Sequence, residues 1–359
     1  LIFSLDSIKI FSNVSNNLWE VVNMVWKRFR WFLVPVALFL VLAGCGTASQ
    51  TGENPQGGEG QGGEKPDQLY IATGGTAGTY YALGGGIAKL LEKASINATA
   101  QTTGASVENL RLLKDGQVDI AFTQTDIADY AAKGTEMFQN AGPIQNLKAI
   151  AALYPETIQI VVPADSPIQS VTDLKGKRVS VGAPGSGTEL NAKQILEVYG
   201  LTFDDIKVQR LSFAESSSGL QDGMLDAAFV TAGAPTSAVS ELATTIGVRV
   251  LSLDDAHIQT LTEKYPFYFE QVIPASTYKG QDQDVKTVAV KSMLVARGEL
   301  DEQLVYAITQ AVFDNLKELE SFHAKAKEIK LEDALKGFTI DVHPGAAKYF
   351  EEKGIRKEQ

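Results

Sequence analysis

The sequence predicts an α/β fold of two similar lobes with a ligand cleft between them, and three observations carry that expectation. Short apolar runs alternate with helix-like segments at short intervals from Leu69 onward, the pattern of a mostly parallel sheet covered by helices. The order of these elements recurs: residues 203–245 repeat the strand, helix, strand order of residues 97–132, although the side chains themselves do not repeat. Each half also opens on a Gly-rich turn that carries a strand into a helix, within residues 69–94 (LYIATGGTAGTYYALGGGIAKLLEKA) and residues 178–200. A helix start of this kind presents unsatisfied N–H groups and the positive end of the helix dipole, and so favours an anion.

Length and composition bound the rest. A chain of 359 residues is long enough for two lobes with sizeable cores. Its formal charge of -11 argues against a nucleic-acid partner, which needs clustered Lys and Arg. The N-terminus departs from this average. Lys27, Arg28 and Arg30 precede an apolar run over residues 31–43 that ends in LAGC, residues 42–45. A basic segment, about a dozen apolar residues and small residues at the cut form a secretory signal, too short for a span of about 20 residues. The motif LAGC resembles a bacterial lipobox, which implies that Cys45, the single cysteine of the chain, becomes the lipid-modified first residue. Residues 1–44 are therefore read as the signal peptide. Residues 1–23 are read as an over-extended start, with Met24 the expected initiator.

Residues 45–68 follow as a lipid-anchored flexible linker: Gly, Gln, Glu and Pro dominate, with too little apolar surface to offset ordering entropy. From Leu69 the elements run in order. A strand, turn and helix come first, then a strand in INATAQTT and a helix in GASVENLRLLKDGQ. A strand ending at Gln124 leads into a helix with Asp126 placed as its cap. LKAIAALYPE and TIQIVVPADS read as two strands. The second set runs from a strand at residues 178–181 through the turn 182–188 and a helix ending at Gly200. A strand at residues 285–296 is the candidate for the return between lobes, and a helix over 301 to about 317 follows. The lobes are thus expected at 69–158 plus 285–354, and at 159–284.

Ligands of an open α/β sheet bind beyond the C-terminal ends of its strands. Loops 73–81, 103–109, 123–126, 182–188 and 231–236 meet that description, and their small residues let backbone approach a ligand. One of Tyr80 and Tyr81 is expected to face the cleft and the other the core. Gln124 either caps a helix or faces the cleft. Signatures of catalysis are missing: no Walker loop, dinucleotide fingerprint or nucleophile elbow occurs, and His257, His323 and His343 lie far apart. The expectation is a binding protein, not an enzyme, with no cofactor and no metal.

Four motifs in this order resemble the TAXI-type solute-binding proteins of tripartite ATP-independent periplasmic (TRAP) transporters: IATGGTAGTYYALGGGIAKLL, TTGASVENLRLLKDGQVDIAFTQTD, DLKGKRVSVGAPGSGTELNAKQIL and HPGAAKYFEEKG. The resemblance covers nearly everything from Leu69 to Gly354. It implies a venus-flytrap, type II-like periplasmic-binding-protein fold, anchored outside the cytoplasmic membrane. Such a protein captures a small carboxylate or amino acid such as glutamate and hands it to a membrane subunit driven by an ion gradient. A sensor that hands its closed form to a receptor is the alternative. Carried onto this chain, the ligand contacts are Thr76, Gly78, Thr79, Tyr80, Ser106, Asn109, Gln124, Ser186, Gly187, Thr188 and Gly233. No Arg falls in the five loops, though Arg111 is close, so backbone donors and hydroxyls must hold the ligand; neutral and zwitterionic ligands stay open. His343, in the last motif, is expected to pack the tail.

Overall fold

A computed structural model describes residues 63–357. The signal segment, Cys45 and the linker up to residue 62 lie outside the described residues. The first half runs β1 (Leu69–Ala72), α1 (Thr79–Lys93), β2 (Ala98–Gln101), α2 (Ser106–Lys114), β3 (Ile120–Gln124) and α3 (Thr125–Lys133), then the long strand β4 (Leu147–Pro163). The second runs β5 (Arg178–Ser180), α4 (Gly187–Val198), β6 (Lys207–Gln209), α5 (Phe213–Gln221), β7 (Ala227–Ala232) and α6 (Ser237–Thr245). After β8 (Val248–Val250), α7 (Asp255–Lys264) and β9 (Phe269–Ile273) comes a second long strand, β10 (Val285–Arg297). The chain then ends in α8 (Glu302–Phe313), α9 (Leu316–Leu319) and α10 (Pro344–Glu352).

The strands join in the order β2-β1-β3-β10-β4-β7-β5-β6, with β8 on β4 and β9 on β10. The outer triplets β2-β1-β3 and β6-β5-β7 are parallel, while β4 and β10 run antiparallel to each other and to β7 and β3. Each outer triplet supports its own core. Ile71, Leu83, Phe122, Tyr154 and Leu294 belong to the first, where the apolar faces of α1, α2, α8 and α10 close on the sheet. Ile158, Val179, Ile195, Phe229 and Val288 belong to the second, and Val161, Val230 and Leu242 pack on the opposite face of that sheet. Tyr154 and Ile158 thus lie in different cores, as do Val290 and Met293: both long strands pass from one lobe to the other.

Three details differ from the expectation. LKAIAALYPE and TIQIVVPADS form one strand, because Pro155 sits opposite Lys291 beside a register shift in β10 that accommodates the missing N–H. Asp126 does not cap α3; Gln124 occupies the cap position and offers no side-chain cap, while Asp126 Oδ1 accepts from the N–H of Ile127. The helix from Asp301 stops at Phe313, where the Asn315 side chain donates back to the carbonyl of Ala311 and a short second helix begins. The end of the expected flexible linker is also docked: Glu64 pairs with Arg297 at 2.8 Å, and Lys65 with Asp301 at 3.0 Å.

The tail packs as its motif suggested. His343 caps α10, its Nδ1 accepting from the N–H of Gly345 at 3.2 Å, and its own N–H donates to the carbonyl of Ala149. Gly345 lies against α8 so closely that a Cβ there would stand 2.1 Å from the Glu302 carbonyl oxygen and 2.7 Å from the Tyr306 nitrogen. Both are backbone atoms that cannot swing aside. Gly345→Ala is therefore expected to cost about 1–3 kcal/mol of stability in urea unfolding; an unchanged midpoint would show that α10 shifts freely on α8.

Candidate ligand-binding site

The cleft lies between the C-terminal ends of the two parallel triplets. The empty space within it, open solvent at the mouth included, is about 530 Å³. The turn after β1 contributes Gly74, Gly75 and Gly78, and α1 begins with Thr79 and Tyr80. No side chain caps α1, so its first N–H groups are left for other acceptors. From the other lobe α4 approaches, with Ser186 at its cap and Gly187 and Thr188 at its start. The Ser186 hydroxyl takes only the N–H of Glu189, at 3.1 Å. The loop before α2 adds Thr103 to Ser106, where Ala105 adopts φ +79°, a strained conformation for a residue with a Cβ. Thr231 and Ala232 at the end of β7, and Ser212 and Phe213 at the start of α5, complete the second wall.

The lobes are closed on this space. Gly185 gives its carbonyl to the N–H groups of Val107 and Glu108, at 3.0 and 3.1 Å, so the start of α2 is occupied by the opposite lobe. The N–H of Gly233 donates to Thr79 Oγ1 at 3.2 Å. Gln124 Nε2 donates to Asn191 Oδ1 at 2.9 Å, and Asn191 Nδ2 donates in turn to the Tyr268 hydroxyl at 2.7 Å. A Cβ on Gly187 would fall 1.6 Å from Gln124 Oε1, so any other residue here requires the Gln124 side chain to move away.

Of the residues expected at the site, Gly78, Thr79, Tyr80, Ser106, Gln124, Ser186, Gly187 and Thr188 line the cleft together. Three do not. Thr76 is exposed on the outer side of its turn. Asn109 is wholly buried behind the wall, its Nδ2 donating to the carbonyls of Thr73 (2.6 Å) and Phe122 (2.8 Å), so it ties β1 to β3. Gly233 belongs to the contact between lobes. Tyr80 serves both roles expected of the tyrosine pair: its ring stacks on Phe122 at 5.0 Å while its hydroxyl is buried at the cleft without a partner. Tyr81 is on the surface. Gln124 lines the cleft and caps nothing.

Sequence reasoning missed the ionisable group of the site. Glu156, on β4 between the two cores, lines the cleft with 3% of its surface exposed. Burial pushes its carboxyl up to about 8, against the opposing effect of the Tyr80 and Tyr154 hydroxyls, and the charge of Asp126 adds to the rise. The Tyr154 hydroxyl donates to Glu156 Oε1 at 3.1 Å. Asp126, also buried, is pushed up to about 7, again by burial first. Burial and then the charge of Glu156 hold the Tyr80 hydroxyl well above the ordinary phenol range. The signal was available: a lone acid inside an otherwise apolar run is costly to bury and marks a functional position. No Lys, Arg or His is among the lining residues, and among the described residues no cluster of His, Cys, Asp and Glu could hold a metal. Nor is any described helix long and apolar enough to cross a membrane.

The chain belongs to the NMT1-like family, which matches residues 71–354. Its fold is similar to that of a protein from Bordetella bronchiseptica RB50, at 18% identity over 80% of this chain and 89% of that one, with a TM-score of 0.51. More distant in shape are two solved structures. One is the alkanesulfonate-binding protein SsuA from Xanthomonas axonopodis pv. citri bound to MOPS (18% identity, 81% and 92% covered, TM-score 0.48). The other is the periplasmic aliphatic sulphonate binding protein SsuA from Escherichia coli (21% identity, 80% and 79% covered, TM-score 0.42).

The place of Asn109 behind the wall gives a test of its role. Asn109→Ala removes both side-chain bonds and leaves the Thr73 carbonyl only the Thr103 hydroxyl, and is expected to lower unfolding free energy by about 1–3 kcal/mol. Full stability in urea would return Asn109 to the candidates for ligand contact.

Proposed function

We propose that this chain is an extracytoplasmic solute-binding protein that closes its two lobes on a small carboxylate or amino acid, glutamate being the model ligand. In this reading Cys45 carries the lipid anchor and the closed protein delivers its solute to a TRAP-type membrane subunit driven by an ion gradient. The lobes that close are 69–158 with 285–354, and 159–284, although the packing of Val288 and Val290 on the second core draws the later boundary toward residue 291.

One observation carries the binding role: the uncapped start of α1 in one lobe and the start of α4 in the other meet over a single cleft. Beside them, the Tyr80 and Thr231 hydroxyls are buried without hydrogen-bond partners. Buried polar groups left unpaired cost about 1–3 kcal/mol each, and a ligand that pairs them recovers that cost. What supports binding without turnover is the lining itself, which contains hydroxyls, amides and one acid but no His or Cys. The TRAP assignment and the lipid anchor rest on the sequence motifs.

A panel of amino acids and small carboxylates tested by thermal unfolding is expected to yield at least one ligand. At about 100 times its Kd that ligand adds about 2.7 kcal/mol, or roughly 5 °C in Tm for a chain of this size. A flat response across the panel would overturn the binding role. For the ligand found, Gly187→Ala is expected to weaken binding at least about tenfold by keeping Gln124 and α4 apart, with little change in the Tm of the empty protein. Equal affinity would show that closure does not need this contact.

A further inference from the structure

Glu156 has no role in a cleft built only to hold an acid. It stands at the crossing of the lobes with 3% of its surface exposed, and no cation lines the space in front of it. Oε1 accepts from the Tyr154 hydroxyl at 3.1 Å, and the nearby Tyr80 hydroxyl also favours the ionised form. A second acid, Asp126, lies close enough to oppose its ionisation. The positive ends of α1 and α4 supply the complementary character.

We infer that Glu156 is the specificity-determining residue of the cleft, receiving the protonated amine of a ligand whose acid end is held by the starts of α1 and α4. This rests on the binding role proposed above and says which end of the solute is read where. A solute whose every polar group is anionic gains no ion pair from Glu156 and keeps it in its acid form. A zwitterion satisfies both ends at once. The groups facing Glu156 are Tyr80 from α1, Tyr154 from its own strand and Asp126 from α3; none is a cation.

Capture has a proton balance. In the empty cleft at neutral pH the buried carboxyl is in its acid form, since its value lies at about 8. When the ammonium group docks, the carboxyl gives its proton to solvent and the pair that remains is carboxylate with ammonium. One proton therefore leaves for each ligand bound. Apparent affinity rises about tenfold for each pH unit below 8 and levels off above it. A Glu156 that instead kept its proton and donated it to a ligand carboxylate would give an affinity that is flat below about pH 8 and falls only above it.

The test is titration calorimetry on the mature chain at pH 6, 7 and 8. The probes are the twenty common amino acids and the amine-free acid of each same skeleton, such as L-glutamate with glutarate. The expected result is an amino acid that binds at least about 30-fold more tightly than its amine-free partner, the equivalent of one charge-assisted hydrogen bond. Its affinity should rise with pH, and buffers of different ionisation enthalpy should report about one proton released at pH 6 and about half of one at pH 8. Glu156→Gln should lose that preference and the pH slope together. Equal binding of the amine-free acid, or an affinity that does not rise from pH 6 to 8, overturns the inference and leaves the binding role standing. Absence of binding by both sets overturns the binding role and the inference with it. If Glu156→Gln fails to fold, the slope and proton count of the unaltered protein decide the question.

Discussion

The antiparallel pairing of β4 with β10 is the constraint on which the rest of the molecule depends. The strands of the outer triplets have three to six residues each, whereas β4 has 17 and β10 has 13. At about 3.3 Å per residue β4 reaches roughly 55 Å, too far to belong to one core. Its early residues complete the first core and its later ones the second, so a single hydrogen-bonded ladder connects two bodies that otherwise pack separately. Pro155 and the register shift opposite it fall where the ladder leaves the first core. Glu156 is the next residue, which explains how a carboxylate comes to lie at the base of the cleft: it is fixed by the crossing and not by a mobile loop.

Electrostatics then sets what the cleft can hold. A carboxylate at micromolar affinity needs about 8 kcal/mol, the sum of four or five charge-assisted hydrogen bonds less the costs of immobilisation. The starts of α1 and α4 and the hydroxyls of Tyr80, Thr188 and Thr231 are enough in number. A negative charge held about 5 Å from an ionised Glu156 would lose roughly 3 kcal/mol at an effective dielectric of 20, the worth of one or two of those bonds. In the reading inferred above, the cleft is polarised along its length, with donors from the helix starts and, once Glu156 is ionised, an acceptor at the floor.

Much of this was legible in the sequence where the signal was local. The alternation of strands and helices, the recurrence of their order and the two Gly-rich helix starts are written in contiguous residues, and the structure brings Thr79, Tyr80, Gly187 and Thr188 into one space. What escaped depended on partners distant in the chain. Whether Asn109 faces ligand or wall is decided by the carbonyls of Thr73 and Phe122, 36 and 13 residues away. Glu156 escapes notice because it stands at the end of one strand-like run, LKAIAALYPE, just before another; its burial follows only from β10 lying alongside, more than a hundred residues later.

Glycine shows the same limit in a sharper form. In sequence the small residues of the loops look alike, each permitting close approach, but they are approached by different things. A Cβ on Gly187 would strike Gln124 of the opposite lobe, and one on Gly233 would strike Lys325 and crowd Thr79, whereas Gly74 and Gly75 have ordinary contact distances and border open cleft. Three helix starts converge on this region, and closure divides them. The N–H groups of Val107 and Glu108 at α2 are taken by the Gly185 carbonyl, which ties the lobes together. Those at α1 and α4 are capped by no residue of the opposite lobe. Closing thus consumes one helix start and leaves the other two bordering one cleft, where their dipoles act on whatever lies between.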